Sequence, residues 1–182
     1  MLYTRKGDDG KTKAFGCDQR FSKSSAIAEA LGSVDELNSF LGVLRASSRL
    51  PDIKVGDVGL VDVLIGVQQS LFIIQAELAG ADKDIDKDSV KKLEEHTNFC
   101  EENMPKIQSF YLPGADEISA MFDLGRTVSR RAERRVIAVV DEKSLPLGEY
   151  TLAYLNRLSS LLYALVRYIN FKSGVEEIAP KY

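Results

Sequence analysis

A single histidine, His96, stands among Glu94, Glu95 and Asn98 in a chain of 182 residues. A ferritin-like di-iron centre in its usual form needs two Glu-x-x-His pairs, so that chemistry is excluded. His96 reads as a surface residue. The cysteines are as sparse: Cys17 and Cys100 lie far apart and offer neither metal-ligand spacing nor a disulfide framework. Both read as reduced and structural. Positive charge is not in excess either, because 24 Lys and Arg against 27 Asp and Glu leave a net charge of −3. General nucleic-acid binding is excluded, since counterion release needs a basic surface. No signal-peptide pattern opens the chain; Met1 to Lys6 leads into a glycine- and aspartate-rich turn. The longest apolar stretch, Leu60 to Ile74, is broken by Asp62, Gln68 and Gln69 and reads as too short to span a bilayer. Internal repeats, low-complexity tracts and convincing β alternation are all missing. These absences leave a soluble, cytoplasmic, all-α chain with one substantial core.

Five amphipathic patterns fill it. They run from about Ser24 to Ser48, from after Asp57 to about Ala81, from Lys87 to Asn103, from Asp116 to about Val140, and from Gly148 to Lys172. Ser24 or Ser25 and Asp116 suit the N-cap, and Pro51, Pro105 and Gly174 fall at or beyond helix ends. The stripe of the first holds Ile27, Leu31, Val34, Leu37, Leu41 and Leu44; that of the second holds Val61, Leu64, Ile65, Leu71, Phe72 and Leu78. The third has only Val90, Leu93, Thr97 and Cys100 as an apolar edge. Long helices with short polar connections predict an antiparallel bundle over residues 24–173. A polar amino-terminal loop (1–23) precedes it and a short tail (174–182) follows.

Charge concentrates in one place. The run Gly125 to Arg135 holds five arginines and Glu133 in a helical stretch. Arg126, Arg130, Glu133 and Arg134 fall at i, i+4, i+7 and i+8 and share a face, where like charges destabilise unless something anionic intervenes. Guanidinium forks match phosphate oxygens; exposed ion pairs with neighbouring helices would explain them equally well. Asp35 lies on the same stripe as Leu31, Asn38 and Gly42, and a core-facing carboxylate there would need Arg126 or Arg130 as partner. Asn156, Ser159, Ser160, Tyr163 and Arg167 form one polar line on the fifth helix. Thr4 to Thr12 packs glycines, cations and hydroxyls into nine residues that could cradle an anion. It is not a P-loop, because only two residues separate Gly7 from Gly10. Phe110 to Gly114 is an aromatic loop that either packs on the bundle end or forms a lip for a large ligand.

Together these blocks resemble the trimeric family of ATP:cob(I)alamin adenosyltransferases. The matching pieces, in the family's order, begin with Thr4-x-x-Gly7-Asp8-x-Gly10-x-Thr12 and Gly32-x-Val34-Asp35-Glu36-Leu37-Asn38. They continue with Leu112-Pro113-Gly114, Arg126-Thr127-Val128-x-Arg130-Arg131-Ala132-Glu133-Arg134 and Tyr154-Leu155-Asn156-Arg157-Leu158-Ser159. The resemblance implies a five-helix bundle that forms a homotrimer with active sites between subunits. It implies ATP gripped by Thr4, Arg5, Lys6, Gly7, Thr12, Lys13 and Lys23 of the amino-terminal segment, by Arg130, Glu133 and Arg134, and by Asn156. Arg126 would pair with Asp35 across the interface, and Phe110 would lie against the lower face of the corrin. Mg²⁺ would ride with ATP, cob(II)alamin would be reduced to cob(I)alamin, and no resident metal ligands are expected. A flavin-type reductase and an adenosylcobalamin-dependent enzyme would be partners. A nucleotide or corrinoid sensor or carrier, and a purely structural bundle, are the rival readings. Departures from the family's pattern include Lys6 for threonine, Ala115 for glycine, Phe122-Asp123 for Leu-His, Gly125 for alanine and Ser129 for cysteine.

Overall fold

The structure, a computed structural model, describes residues 3–13, 20–142 and 145–181. Five helices carry the described part: α1 (Ala26–Ala46), α2 (Leu60–Leu78), α3 (Lys87–Glu102), α4 (Glu117–Asp141) and α5 (Thr151–Lys172). The periodicity located each of them. Their starts follow local chemistry: Ser25 accepts from the Ala28 amide, Asp86 from Ser89 and Asp116 from Ile118, each satisfying an orphan N–H of a first turn. The start of α5 has no side-chain cap of its own. Instead, buried Glu77 of α2 accepts from the Gly148 amide and from the Thr151 hydroxyl at 2.6 Å. A carboxylate aimed at a helix N-terminus is favourable there, and its neighbours satisfy it.

α4 packs against both α1 and α5; α2 lies against α1 and α3 against α5. The core is aliphatic, built on Leu37, Leu41, Leu64, Ile74, Leu158 and Leu165, with Phe122 and Tyr154 as its large rings. The α2 stripe departs from the expectation at Val61 and Phe72, which are exposed, Phe72 by 64%. They lie about 100° around the helix from the buried line of Leu60, Leu64, Val67 and Leu71. As a helix, α2 has 19 residues and a mean hydropathy of 1.3, long and apolar enough by composition to cross a membrane. Its buried line in the bundle core and its bond from Glu77 to α5 account for that hydropathy without a bilayer.

Two short pieces of β structure were not foreseen. β1 (Lys11–Thr12) pairs antiparallel with β2 (Phe21–Ser22) inside the amino-terminal segment, and β3 (Lys54–Val55) pairs with β4 (Val58–Gly59) just before α2. Two residues per strand give alternation no room to show in sequence. Beyond α5, Gly174 adopts φ 64, and the Val175 amide returns to the Asn170 carbonyl at 2.9 Å, so the chain doubles back over the bundle.

Candidate active site

The arginines of α4 divide by what they meet. Arg131 pairs with Glu36 and Arg135 with Glu29 at 3.8 Å, both on α1 and both exposed. Those are the surface ion pairs of the bland reading, worth little each. Arg126 and Arg130 instead line a cavity of about 970 Å³. Arg130 is exposed, and its guanidinium makes no ion pair among the described residues. Arg134 donates to the Arg130 carbonyl at 3.2 Å, and Glu133 accepts from Asn156 of α5 at 3.1 Å. Arg130, Glu133, Arg134 and Asn156 therefore form one local cluster.

Opposite α4, the cavity wall is the polar line of α5, with Ser159, Ser160 and Tyr163. Phe110, 77% exposed, closes one side from the loop before α4. That loop does not pack its tip down: Tyr111 turns inward, its ring 5.2 Å from the Arg167 guanidinium, while Phe110 faces out. Arg126 lies 5.8 Å from the Tyr163 ring, a cation–π contact that keeps it along the wall.

Asp35 is a correction. It is exposed and has no ion-pair partner among the described residues of its own chain. It follows Val34 directly, so it is rotated about 100° from the buried line, beyond the core's edge. Within its own chain Arg126 pairs with Asp123, Nε to Oδ1 at 2.9 Å. Asp123 is buried, and its other oxygen accepts from buried Arg167 at 3.3 Å. Asp123 was noted only as a departure, although the signal was present. A buried arginine in a leucine-rich helix requires a carboxylate, and Asp123 stands three residues before Arg126.

The amino-terminal residues gather separately. Lys23 Nζ donates to the Gly7 carbonyl at 2.7 Å, Thr12 is half-buried in β1, and Thr4, Arg5, Lys6 and Lys13 are exposed. Arg20, not anticipated, holds this segment together by donating to Asp9 at 2.9 Å and to the Lys6 carbonyl. The Arg20 guanidinium keeps the Asp9 carboxyl below the usual carboxylate range. Arg5 has φ 58, a left-handed conformation that costs a non-glycine residue roughly 1–2 kcal/mol. The side-chain hydrogen bonds made by Arg20 and Lys23, and those accepted by Thr4 and Asp9, stay inside this segment. His96 is half-buried, not fully at the surface, and burial lowers its pKa. Cys100 is buried with its thiol pushed up to about 12; Cys17 lies outside the described residues.

A helical bundle whose arginine-lined cavity opens under an aromatic lip defines a class, the binders of large ligands that carry anionic groups. Residues 2–169 match the cobalamin adenosyltransferase family, and the chain belongs to it. The corrinoid adenosyltransferase of Bacillus subtilis (strain 168) is 35% identical over 184 residues, covering 97% of this chain and 90% of that protein. The corrinoid adenosyltransferase PduO of Citrobacter freundii is 34% identical over 91% of this chain, which spans 49% of that longer protein. Among solved structures, a PduO-type ATP:corrinoid adenosyltransferase from Lactobacillus reuteri aligns with a TM-score of 0.89 at 27% identity, both chains covered in full. That structure has a phenylalanine replaced by alanine and is complexed with cobalamin and ATP. An arginine-to-lysine variant of the same enzyme, complexed with ATP, aligns at 0.86 and 28% identity over 99% of this chain.

Proposed function

We propose that this chain transfers the 5′-deoxyadenosyl group of ATP to the cobalt of cob(I)alamin, releasing triphosphate. The observation that carries this reading is the single cavity shared by Arg126, Arg130 and Phe110, which come from separate segments of the sequence. An unpaired guanidinium and an exposed aromatic ring facing one space suit a ligand that is anionic at one end and broad and apolar at the other.

Co(I) is a strong nucleophile and needs no general base. Its electron pair forms the bond to the 5′ carbon as the bond from that carbon to the triphosphate oxygen breaks. The protein's work is alignment and stabilisation of the leaving charge. Arg130 and Arg134 face the triphosphate, Glu133 and Asn156 fix the nucleoside end, and Thr4, Arg5, Lys6, Gly7, Thr12, Lys13 and Lys23 close over the phosphates. Phe110 takes the lower axial side of the corrin and excludes water or the corrinoid's own base. Removing that ligand makes Co(II) easier to reduce. Mg²⁺, a hard cation that takes oxygen ligands, would ride on the phosphate oxygens of ATP.

The amino-terminal grip and the α4 arginines meet between subunits of a homotrimer, where Asp35 of a neighbouring subunit adds a second carboxylate to Arg126 beside Asp123. Two features favour this assembly: Asp35 has no ion-pair partner among the described residues of its own chain, and Val43, Phe72 and Leu124 leave apolar side chains exposed on α1, α2 and α4. A flavin-type reductase as electron donor, an adenosylcobalamin-dependent enzyme as recipient and a cytoplasmic setting complete the proposal.

The test is an anaerobic assay with ATP and chemically reduced cobalamin, following loss of the Co(I) absorption. A light-sensitive adenosylated product with released triphosphate is expected. Bound ATP with no conversion would replace this reading with a sensor or carrier.

A further inference from the structure

The chain beyond α5 is tied into the site. The Leu112 amide donates to the Ile178 carbonyl at 2.8 Å, joining the aromatic loop to the C-terminal segment. Glu177 of that segment accepts from Asn170 at 2.6 Å and contacts Arg167 at 2.8 Å. Ala179 and Pro180 then line the cavity opposite α4.

Four charges alternate from this contact towards α4: Glu177, Arg167, Asp123 and Arg126. Arg167 is packed between the rings of Tyr111 and Tyr163, at 5.2 and 5.0 Å. Its Nε and NH1 are buried without a hydrogen bond, so on that side the Glu177 carboxylate is the compensating charge. On the other side Arg167 shares Asp123 with Arg126. The two cations are not equivalent: the Arg167 side chain is 4% exposed and that of Arg126 is 27%. A buried guanidinium has no water to turn to, whereas Arg126 has. With Glu177 withdrawn, Asp123 is drawn toward Arg167 and its hold on Arg126 weakens.

We infer that Asp123 is a positioning residue for Arg126, and that Arg167 transmits to it whether the C-terminal segment is docked through Glu177. Covering the cavity and setting Arg126 are then one event. This rests on the transferase reading above.

The experiment is a double-mutant cycle of Asp123→Asn and Glu177→Gln, read in two ways. In adenosyl transfer to cob(I)alamin, D123N lowers kcat by about tenfold and E177Q by about threefold, with KM for ATP changed less than about twofold. The double variant falls no further than D123N alone, because both act on one path. The second readout is tryptic cleavage after Lys172, followed by mass spectrometry. It speeds up about threefold in E177Q and, by reciprocity, slows in D123N, where Glu177 becomes the remaining counter-charge of buried Arg167 although residue 123 does not touch the segment. Wild-type kcat in either single variant, additive losses in the double, or wild-type cleavage in D123N would each overturn the inference. If D123N does not fold, E177Q decides alone by the same two readouts. If the wild-type chain transfers nothing, the transferase reading fails, and the cleavage arm still judges the coupling.

Discussion

Arg130 and Phe110 show how differently two side chains in one cavity are expected to act. The Arg130 guanidinium has no ion-pair partner among the described residues, so Arg130→Ala should leave the thermal midpoint nearly unchanged while lowering kcat by roughly 10²–10³-fold, as for loss of a transition-state donor. Normal turnover in that variant would remove Arg130 from the site. Phe110→Ala should impair conversion that starts from cob(II)alamin far more than transfer from pre-reduced cob(I)alamin; equal losses in both assays would refute its axial role. Cys100 allows a prediction on pH. Its thiol is raised from 9.0 to about 12 by burial, so the unfolded chain loses that proton first. Stability from this group is complete below pH 9 and declines as pH rises towards 12. Cys100→Ala should flatten the fall of Tm between pH 9 and 10, and an unchanged slope would show that other groups dominate it.

At the scale of elements, the joint between α2 and α5 carries more than sequence propensity suggests. Glu77 satisfies the first turn of α5 from another helix. Its removal in Glu77→Ala strands a half-buried amide and a buried hydroxyl and should cost about 2–3 kcal/mol, read as a lowered urea midpoint with an unchanged m-value. Sequence periodicity could not reveal this, because the cap is 71 positions away from the amide it serves. Gly125 in α4 is a similar case. In sequence it reads as a slightly weak helix position, yet a Cβ there would stand 3.2 Å from the Phe40 ring. The glycine allows α1 and α4 to approach, which offsets its lower helix propensity. Ser129 also fits its place, buried and donating to the Arg126 carbonyl at 2.8 Å.

For the molecule as a whole, the trimer proposal predicts a particle of about 60 kDa by light scattering, three copies of a 20.2 kDa chain. A monomer with full activity would refute the intersubunit site. The sequence by itself determined the five helices, because each buries a stripe at a period of 3.6 residues and begins or ends at a residue suited to that boundary. It also marked the α4 arginines, Asn156 and Phe110, whose residue types are costly or unexplained on an ordinary helix surface or loop. Only the tertiary structure decided which arginines are surface pairs and which face the cavity. Helical spacing set Arg126 and Arg131 on different faces, but what α1 and α5 place beside each face is not in the spacing. It alone turned Asp35 outward, put Asp123 beside Arg126, and brought Glu177 back onto Arg167. Ion pairs between helices depend on rotation and crossing in space, and no local periodicity encodes that.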